Sequence, residues 1–150
     1  MTVEEAGLSR WVEAHGTPAQ RETLGATQQR RADFRALIKA VRERLSRLYA
    51  EPSVPAAKAA EKARLLAQFQ DDYRTLRDGK WGGFNGYDRW FSGDINNATL
   101  ASVGLYHDCV PAFRALLADS GDDLPRFYAA VRALAELPPE RRAARLACRP

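Results

Sequence analysis

The sequence predicts an all-α protein, and three observations lead to that prediction. Among the 150 residues, 26 Ala and 16 Leu outnumber 7 Val and 2 Ile, so helix formers dominate over β-branched residues. Apolar residues recur at spacings of three and four along most of the chain, which is the period of one helix face. Gly and Pro stand at the ends of these runs. The length predicts a single helical domain, residues 1–150, with its own core.

The first predicted element is a short helix over residues 2–15. Gly16 follows the last periodic position, where glycine commonly closes a helix. We expect one apolar face on this helix, formed by Val3, Leu8, Trp11 and Val12.

Two long helices follow and form the predicted antiparallel hairpin, about residues 18–78. Thr17 and Pro18 suit the N-cap and the first position of a helix that runs to about Ala50. The apolar seam of this helix is Phe34, Ile38, Val41, Leu45 and Leu48. After a proline-containing break at 51–55, the second seam is Leu66, Phe69, Tyr73 and Leu76. Because the seams are narrow and the connection is short, the two helices are expected to pack along their length.

The first hairpin helix is rich in basic residues. Between Arg21 and Arg47, eight basic residues stand against three acidic ones. A solvated outer face and a surface for an acidic partner both account for this excess. The whole chain carries a net charge of only +4, so nucleic acid is not expected as a partner.

The segment between Asp78 and Asp94 is the least helical part of the chain, with five glycines and five aromatic residues. Aromatic side chains at this density need a surface to pack against, so the loop is predicted to be folded over another element. A packed aromatic corner and a loop lining a substrate cleft both remain open. The glycines lack the spacing and the preceding strand of a phosphate-binding loop.

Shorter helices are predicted for the rest of the chain. One begins at Asn96, whose side chain suits a cap, and is interrupted at 109–111. The others are predicted over 112–119, from 122–123 to 137, and from 138–139 to about 146. We expect these helices, the first helix and the aromatic loop to form a compact group from which the hairpin projects.

Tyr106, His107 and Asp108 form a cluster with catalytic potential. A phenol and an imidazole can together hydrogen-bond a carbonyl oxygen as it becomes an oxyanion, and Asp108 can orient the histidine. Such a triplet at a helix end is more often a capping and packing cluster.

A metal site is not predicted for this chain, because a catalytic zinc needs three protein ligands and the two histidines lie 92 positions apart. Cys109 and Cys148 are interpreted as buried thiols rather than as a bridge. The N-terminal stretch lacks the features of an export signal and no apolar run is long enough to span a membrane, so we expect a soluble chain.

Four segments resemble the C-terminal part of the bacterial putative zinc aminopeptidase family. They cover residues 2–11, 72–91, 96–117 and 123–146 in the same order, and the most specific are DGKWGGFNGYDRWF and NNATLASVGLYHD. The resemblance implies a gluzincin-like hydrolase, in which one helix carries His-Glu-x-x-His and a later helix carries Asn-Glu-x-Phe-Ala. Because both zinc motifs are missing here, the resemblance implies a C-terminal fragment of a metallopeptidase that is inactive alone.

The resemblance also implies functional residues. All of them except Glu4 form a distal active-site wall over about residues 79–137, and Glu4 either contacts a substrate amine or supports the zinc-bearing helix. The catalytic candidates are Tyr106, His107 and Asp108, and the substrate-binding candidates are Glu4, Tyr87, Trp90, Asn96 and Asn97. Zinc, a peptide substrate and the missing N-terminal zinc-binding portion are implied for the parent protein, which is expected to be a lipid-anchored periplasmic protein. The alternative is a stand-alone helical module that binds a protein or, weakly, a nucleic acid.

Overall fold

The computed structural model describes residues 1–146 and, within that range, every side chain except those of Leu105 and Tyr106. This part of the chain is all-helical, as predicted. Its helices are α1 (Thr2–His15), α2 (Pro18–Ala50), α3 (Pro55–Asp78), α4 (Asp88–Phe91), α5 (Asn97–His107), α6 (Val110–Asp119), α7 (Leu124–Ala135) and α8 (Pro139–Leu146).

The chain divides into two compact units. The first contains Met1–Ala26 together with the residues from Leu105 onward, and the second contains Thr27–Gly104. The aromatic loop belongs to the second unit with the hairpin, whereas we had expected it to group with the first helix and the C-terminal helices. The reason is that its aromatic side chains pack directly on α2 and α3.

The second unit is built on the α2–α3 hairpin. Two polar contacts show that the helices run in opposite directions: Arg44 Nη1 lies 3.5 Å from Asp72 Oδ2, and Lys58 Nζ donates to the Tyr49 carbonyl oxygen at 3.1 Å. The buried seam of the hairpin consists of Ile38, Val41, Leu45, Leu48, Leu65, Phe69 and Tyr73. The predicted α2 seam is therefore confirmed. On α3 the buried leucine is Leu65, while Leu66 packs at the edge.

The first unit packs α1, α6 and α7 together. Its buried apolar residues are Val12, Val110, Leu117, Phe127 and Leu134. The guanidinium group of Arg114 binds the Glu5 carboxylate, with Nε 3.0 Å from Oε2, and so joins α6 to α1. The prediction of a single apolar face on α1 is wrong in part, because Leu8 and Trp11 are 45% and 57% exposed. The helix packs instead through the face that carries Glu5 and Val12.

Side chains cap three helix starts at the predicted positions. Thr17 Oγ1 accepts from the Gln20 amide, and Gln20 Oε1 accepts from the Thr17 amide, which forms a capping box before α2. Asn96 Oδ1 accepts from the amides of Ala98 and Thr99 at the start of α5. Asp123 Oδ1 accepts from the Arg126 amide at the start of α7.

Two predictions about residues 109–111 are corrected. Pro111 lies in the first turn of α6, where a missing N–H group costs no helical hydrogen bond, so the helix begins before it. Cys109 is disulfide-bonded, and the interpretation of this residue as a buried thiol is wrong. The other cysteine of the sequence, Cys148, lies outside the described residues.

None of the helices over residues 1–146 has both the length and the apolar character needed to cross a bilayer.

Candidate functional site

The loop after α3 packs on the hairpin through an aromatic cluster. Tyr73 and Phe91 stack with ring centroids 3.8 Å apart, and Phe34 and Tyr87 stack at 4.4 Å. The aromatic cluster consists of Phe34, Phe69, Tyr73, Trp81, Phe84, Tyr87, Trp90 and Phe91. The prediction that the loop folds over another element is therefore confirmed.

A largely covered carboxylate on α2 anchors the start of the loop. Asp33 Oδ2 accepts from Trp81 Nε1 at 3.0 Å, and Asp33 Oδ1 accepts from Lys80 Nζ at 2.7 Å. Gln29 Nε2, one turn earlier on α2, donates to the same Oδ1 at 2.9 Å. The Asp33 side chain is only 13% exposed, so these three donors replace the water that its charge would otherwise bind.

Burial and hydrogen bonding shift the pKa of Asp33 in opposite directions. Desolvation raises the pKa of the carboxyl group, while the hydrogen bonds from Lys80, Trp81 and Gln29 lower it. The net pKa lies below the ordinary value of 3.8. Asp33 is therefore held ionised, and this charge binds the loop to the hairpin.

A second polar anchor lies at the other end of the loop. The Tyr73 hydroxyl, on a side chain only 3% exposed, donates to Asp88 Oδ1 in the first turn of α4. Arg77 Nη1 lies 3.3 Å from the same carboxylate. The hydrogen bond from Tyr73 lowers the pKa of Asp88, burial raises it, and Arg77 lowers it further. The two anchors hold the loop at both ends.

Two predicted substrate-binding residues, Tyr87 and Trp90, lie in the aromatic cluster. Both rings contact Phe34, Tyr87 by stacking and Trp90 edge-on at 5.2 Å. Both side chains are half-buried, so each keeps part of its surface exposed. Burial raises the pKa of Tyr87, and the charges of Arg31, Arg35 and Arg30 counteract that rise.

The two predicted asparagines have structural partners. Asn96 caps α5 with its side chain. Asn97 is exposed and shares two hydrogen bonds with the Tyr49 hydroxyl of α2, of 3.0 and 2.9 Å. These contacts tie the start of α5 to the hairpin within the second unit.

The remaining candidates belong to the first unit. Glu4 is 73% exposed on α1, with Oε2 4.0 Å from the amino group of Met1. His107 is the half-buried last residue of α5, and the exposed Asp108 follows it. The side chain of Tyr106 lies outside the described residues. The catalytic roles of these residues stay predictions.

Zinc does not fit the side chains that the structure describes. Within residues 1–146, no group of three His, Cys, Asp or Glu side chains is placed to hold a metal ion. A catalytic zinc needs three such ligands, so no chemical step is assigned to a metal in this part of the chain.

Sequence reasoning recognised the basic stretch of α2 as a candidate surface for an acidic partner, but it did not single out Asp33 as an anchor. Asp33 is the only acidic residue between Glu22 and Glu43. An isolated carboxylate in a basic stretch is a signal for a specific partner, and here the partners are Lys80 and Trp81. Arg30 lies over Phe84, with its guanidinium carbon 4.1 Å from the ring centroid.

Comparisons with known proteins agree with the resemblance seen in the sequence. A family model described as "Putative aminopeptidase" matches residues 1–146. No curated protein and no solved structure matches the chain significantly. Because the family model covers nearly all of the sequence, the chain belongs to the putative aminopeptidase family.

Proposed function

We propose that this chain is the C-terminal helical part of a zinc-dependent aminopeptidase. The observation that supports the proposal is the family match over residues 1–146. The zinc ligands are assigned to another part of the parent protein, because the described side chains offer no three-ligand group. This chain then contributes binding and positioning, and alone it is inactive.

The aromatic cluster is proposed to form a rigid wall for the peptide substrate. Its two anchors, at Asp33 and at Asp88, fix the loop without using the exposed edges of Tyr87 and Trp90. A wall whose rings are held by packing loses little conformational entropy when a ligand binds. Tyr87 and Trp90 are therefore assigned to contacts with substrate side chains. Asn96 caps α5 and Asn97 binds Tyr49 of α2, so both are assigned to positioning the start of α5 within the unit that contains this wall.

Tyr106 and His107 are proposed to hydrogen-bond the developing oxyanion of the scissile peptide bond. Donors placed where negative charge develops lower the barrier more than they strengthen substrate binding. Asp108 is assigned to the orientation of His107. Glu4 presents an exposed carboxylate, which suits the α-ammonium group that an aminopeptidase must recognise.

The fragment proposal is tested by metal analysis and by hydrolysis of an aminoacyl arylamide, on this chain and on the extended parent protein. We expect about one zinc per chain and measurable hydrolysis only for the extended protein. Stoichiometric zinc and hydrolysis by this chain alone would contradict the fragment proposal. A zinc-loaded extended protein that hydrolyses no aminoacyl substrate would contradict the peptidase proposal.

The oxyanion proposal is tested in the extended protein with Tyr106→Phe and His107→Ala. We expect each substitution to lower kcat by at least about tenfold, which corresponds to about 1.4 kcal/mol of barrier. His15→Ala is the matched control, because it removes the other histidine of the chain and should leave kcat unchanged. Unchanged turnover in both test variants would refute the assigned role.

The parent protein is further proposed to be anchored by lipid in the periplasm. Fractionation of cells that express the extended protein, combined with labelling by a radioactive fatty acid, tests this localisation. We expect label in the protein and recovery with membranes, and an unlabelled protein in the cytoplasmic fraction would contradict the proposal.

A further inference from the structure

Three arginines of α2 lie beside the aromatic cluster. Within residues 1–146, no carboxylate lies within 4.0 Å of Arg30, Arg31 or Arg35, whereas other Lys and Arg residues do form ion pairs there. We call these three residues, together with Phe84 and Tyr87, the arginine surface. All of it lies in the second unit.

Helix geometry and ring stacking bring these residues together. Positions 30, 31, 34 and 35 lie on adjoining rows of α2, because residues four apart share a helix face. Tyr87 stacks on Phe34 from that side, with ring centroids 4.4 Å apart. The guanidinium group of Arg30 covers the ring of Phe84 at 4.1 Å. The charges of Arg31, Arg35 and Arg30 all act on the Tyr87 hydroxyl, which agrees with this arrangement.

The positive charge of the arginine surface is not neutralised by its neighbours. Asp33, the one carboxylate in this stretch of α2, is already bound by Lys80, Trp81 and Gln29. Further along the helix, by contrast, two basic residues pair with carboxylates. Lys39 lies 3.9 Å from Glu43, and Arg44 lies 3.5 Å from Asp72. Within residues 1–146, three arginines without a carboxylate partner are therefore close together over Arg30–Arg35.

We propose that the arginine surface binds an acidic peptide segment that presents two or more carboxylates. Guanidinium groups form paired hydrogen bonds with carboxylates, and their charge is permanent. The half-buried Tyr87, whose ring stacks on Phe34 between these arginines in sequence, offers a hydroxyl donor on the same surface. Phe84, which is 39% exposed, offers an apolar edge to the peptide between its acidic side chains. This inference goes beyond the proposed function, because the binding requires neither zinc nor hydrolysis.

The geometry favours a peptide over a nucleic acid. Nucleic acids bind through runs of phosphate contacts and through bases that stack on open ring faces. Here the unpaired charge is confined to little more than one helical turn. One face of Tyr87 is occupied by Phe34, and one face of Phe84 is covered by Arg30. An acidic peptide, by contrast, can bind through hydrogen bonds from the guanidinium and hydroxyl groups to its carboxylates and needs no open ring face.

The test measures binding of a fluorescein-labelled hexaglutamate peptide to this chain by fluorescence anisotropy at low salt. The test variant is Arg31→Gln/Arg35→Gln, and the matched control is Arg47→Gln/Arg132→Gln, which removes the same charge elsewhere. We expect the Kd to rise about tenfold in the test variant and to change less than about twofold in the control. Tyr87→Phe, which keeps the ring and removes the hydroxyl donor, is expected to raise the Kd about threefold.

Circular dichroism establishes that each variant keeps its helix content, and the single Arg31→Gln variant replaces the double variant if the latter does not fold. An equal rise in Kd in the test and control variants would overturn the proposal, because binding would then follow net charge alone. Binding of hexaglutamine as tight as that of hexaglutamate would also overturn it. Tighter binding of a hexathymidylate of similar charge would replace the peptide with a nucleic acid as the ligand.

Discussion

The indole Nε1 of Trp81 donates a hydrogen bond to the Oδ2 atom of Asp33, at 3.0 Å, across 48 residues of sequence. This bond joins the start of the aromatic loop to α2. The bonded residue of α2 precedes Phe34, on which the ring of Tyr87 stacks. The indole is only 6% exposed, so its N–H group depends on Asp33 for a partner. The position of the start of the loop therefore depends on the Asp33 carboxylate, as the position of its other end depends on Asp88.

Replacement of Asp33 with Ala should destabilise the second unit. The substitution leaves the buried N–H group of Trp81 without an acceptor and separates Lys80 from its counter-ion. We expect the free energy of unfolding to fall by about 1–3 kcal/mol, as measured by urea denaturation.

Gln29→Ala is the control for Asp33→Ala. Gln29 donates to the same carboxylate, but its side chain is exposed, so the loss of this bond leaves no buried group without a partner. We expect it to cost less than about 0.5 kcal/mol. A similar fall in the free energy of unfolding in the two variants would show that the anchor does not depend on the buried indole.

Acid should weaken the same anchor. Because the pKa of Asp33 is lower in the folded chain than in the unfolded chain, its charge stabilises the fold above the unfolded value, about 3.9. That contribution is lost as the pH falls through the folded pKa. Unfolding measured between about pH 5 and pH 2.5 should therefore show a steeper loss of stability in the unmodified chain than in Asp33→Asn.

Other carboxyl groups with lowered pKa, such as Asp78 and Asp88, titrate in both proteins and cancel in this comparison. Parallel pH profiles for the unmodified chain and Asp33→Asn would contradict the role given to Asp33.

Residues of the aromatic cluster should contribute unequally to the free energy of unfolding. Phe69 is 1% exposed and packs against Trp90 and Phe91, so Phe69→Ala leaves a cavity and is expected to cost about 3–5 kcal/mol. Phe84 is 39% exposed, and Phe84→Ala should cost less than about 1.5 kcal/mol. Denaturation midpoints of the two variants test the difference, and equal losses would mean that the exposed ring is as important to the core as the buried one.

The turn after α6 should require its glycine. Gly121 has a φ of +69°, and an added Cβ would meet no other atom within 4 Å, so the effect of Gly121→Ala is backbone strain alone. We expect a loss of about 1–2 kcal/mol. Gly7→Ala is the control: it lies within α1, also in open space, and should be neutral or stabilising by up to about 1 kcal/mol. A loss of stability in both variants would indicate contacts rather than strain.

Local sequence signals predicted the helices well because those signals act over a few residues. The Thr17 cap, the α2 seam and the Asp123 cap lie where periodicity and capping chemistry predict them. The errors arose where a distant element decides the outcome. Leu8 and Trp11 fit an apolar stripe on α1, but the contact with α6 selects the face that carries Glu5 and Val12.

The candidate site was less predictable than the helices. Tyr87 and Trp90 were singled out through the family resemblance, and both lie in the aromatic cluster. Arg31 and Arg35 were recognised only as part of a basic stretch. The role of Asp33 was missed, because it depends on residues some 50 positions away that the local pattern does not reveal.

The sequence by itself determined the helical class, the hairpin and the caps, since helix propensity, apolar period and terminal hydrogen bonds are properties of neighbouring residues. It also carried the family resemblance. Only the tertiary structure decided that the aromatic loop packs on the hairpin and that Asp33 binds Trp81. It also decided that no carboxylate of the described residues pairs with Arg30, Arg31 or Arg35. These outcomes depend on which distant groups meet when water is excluded, because a buried charge or N–H group is stable only beside a partner.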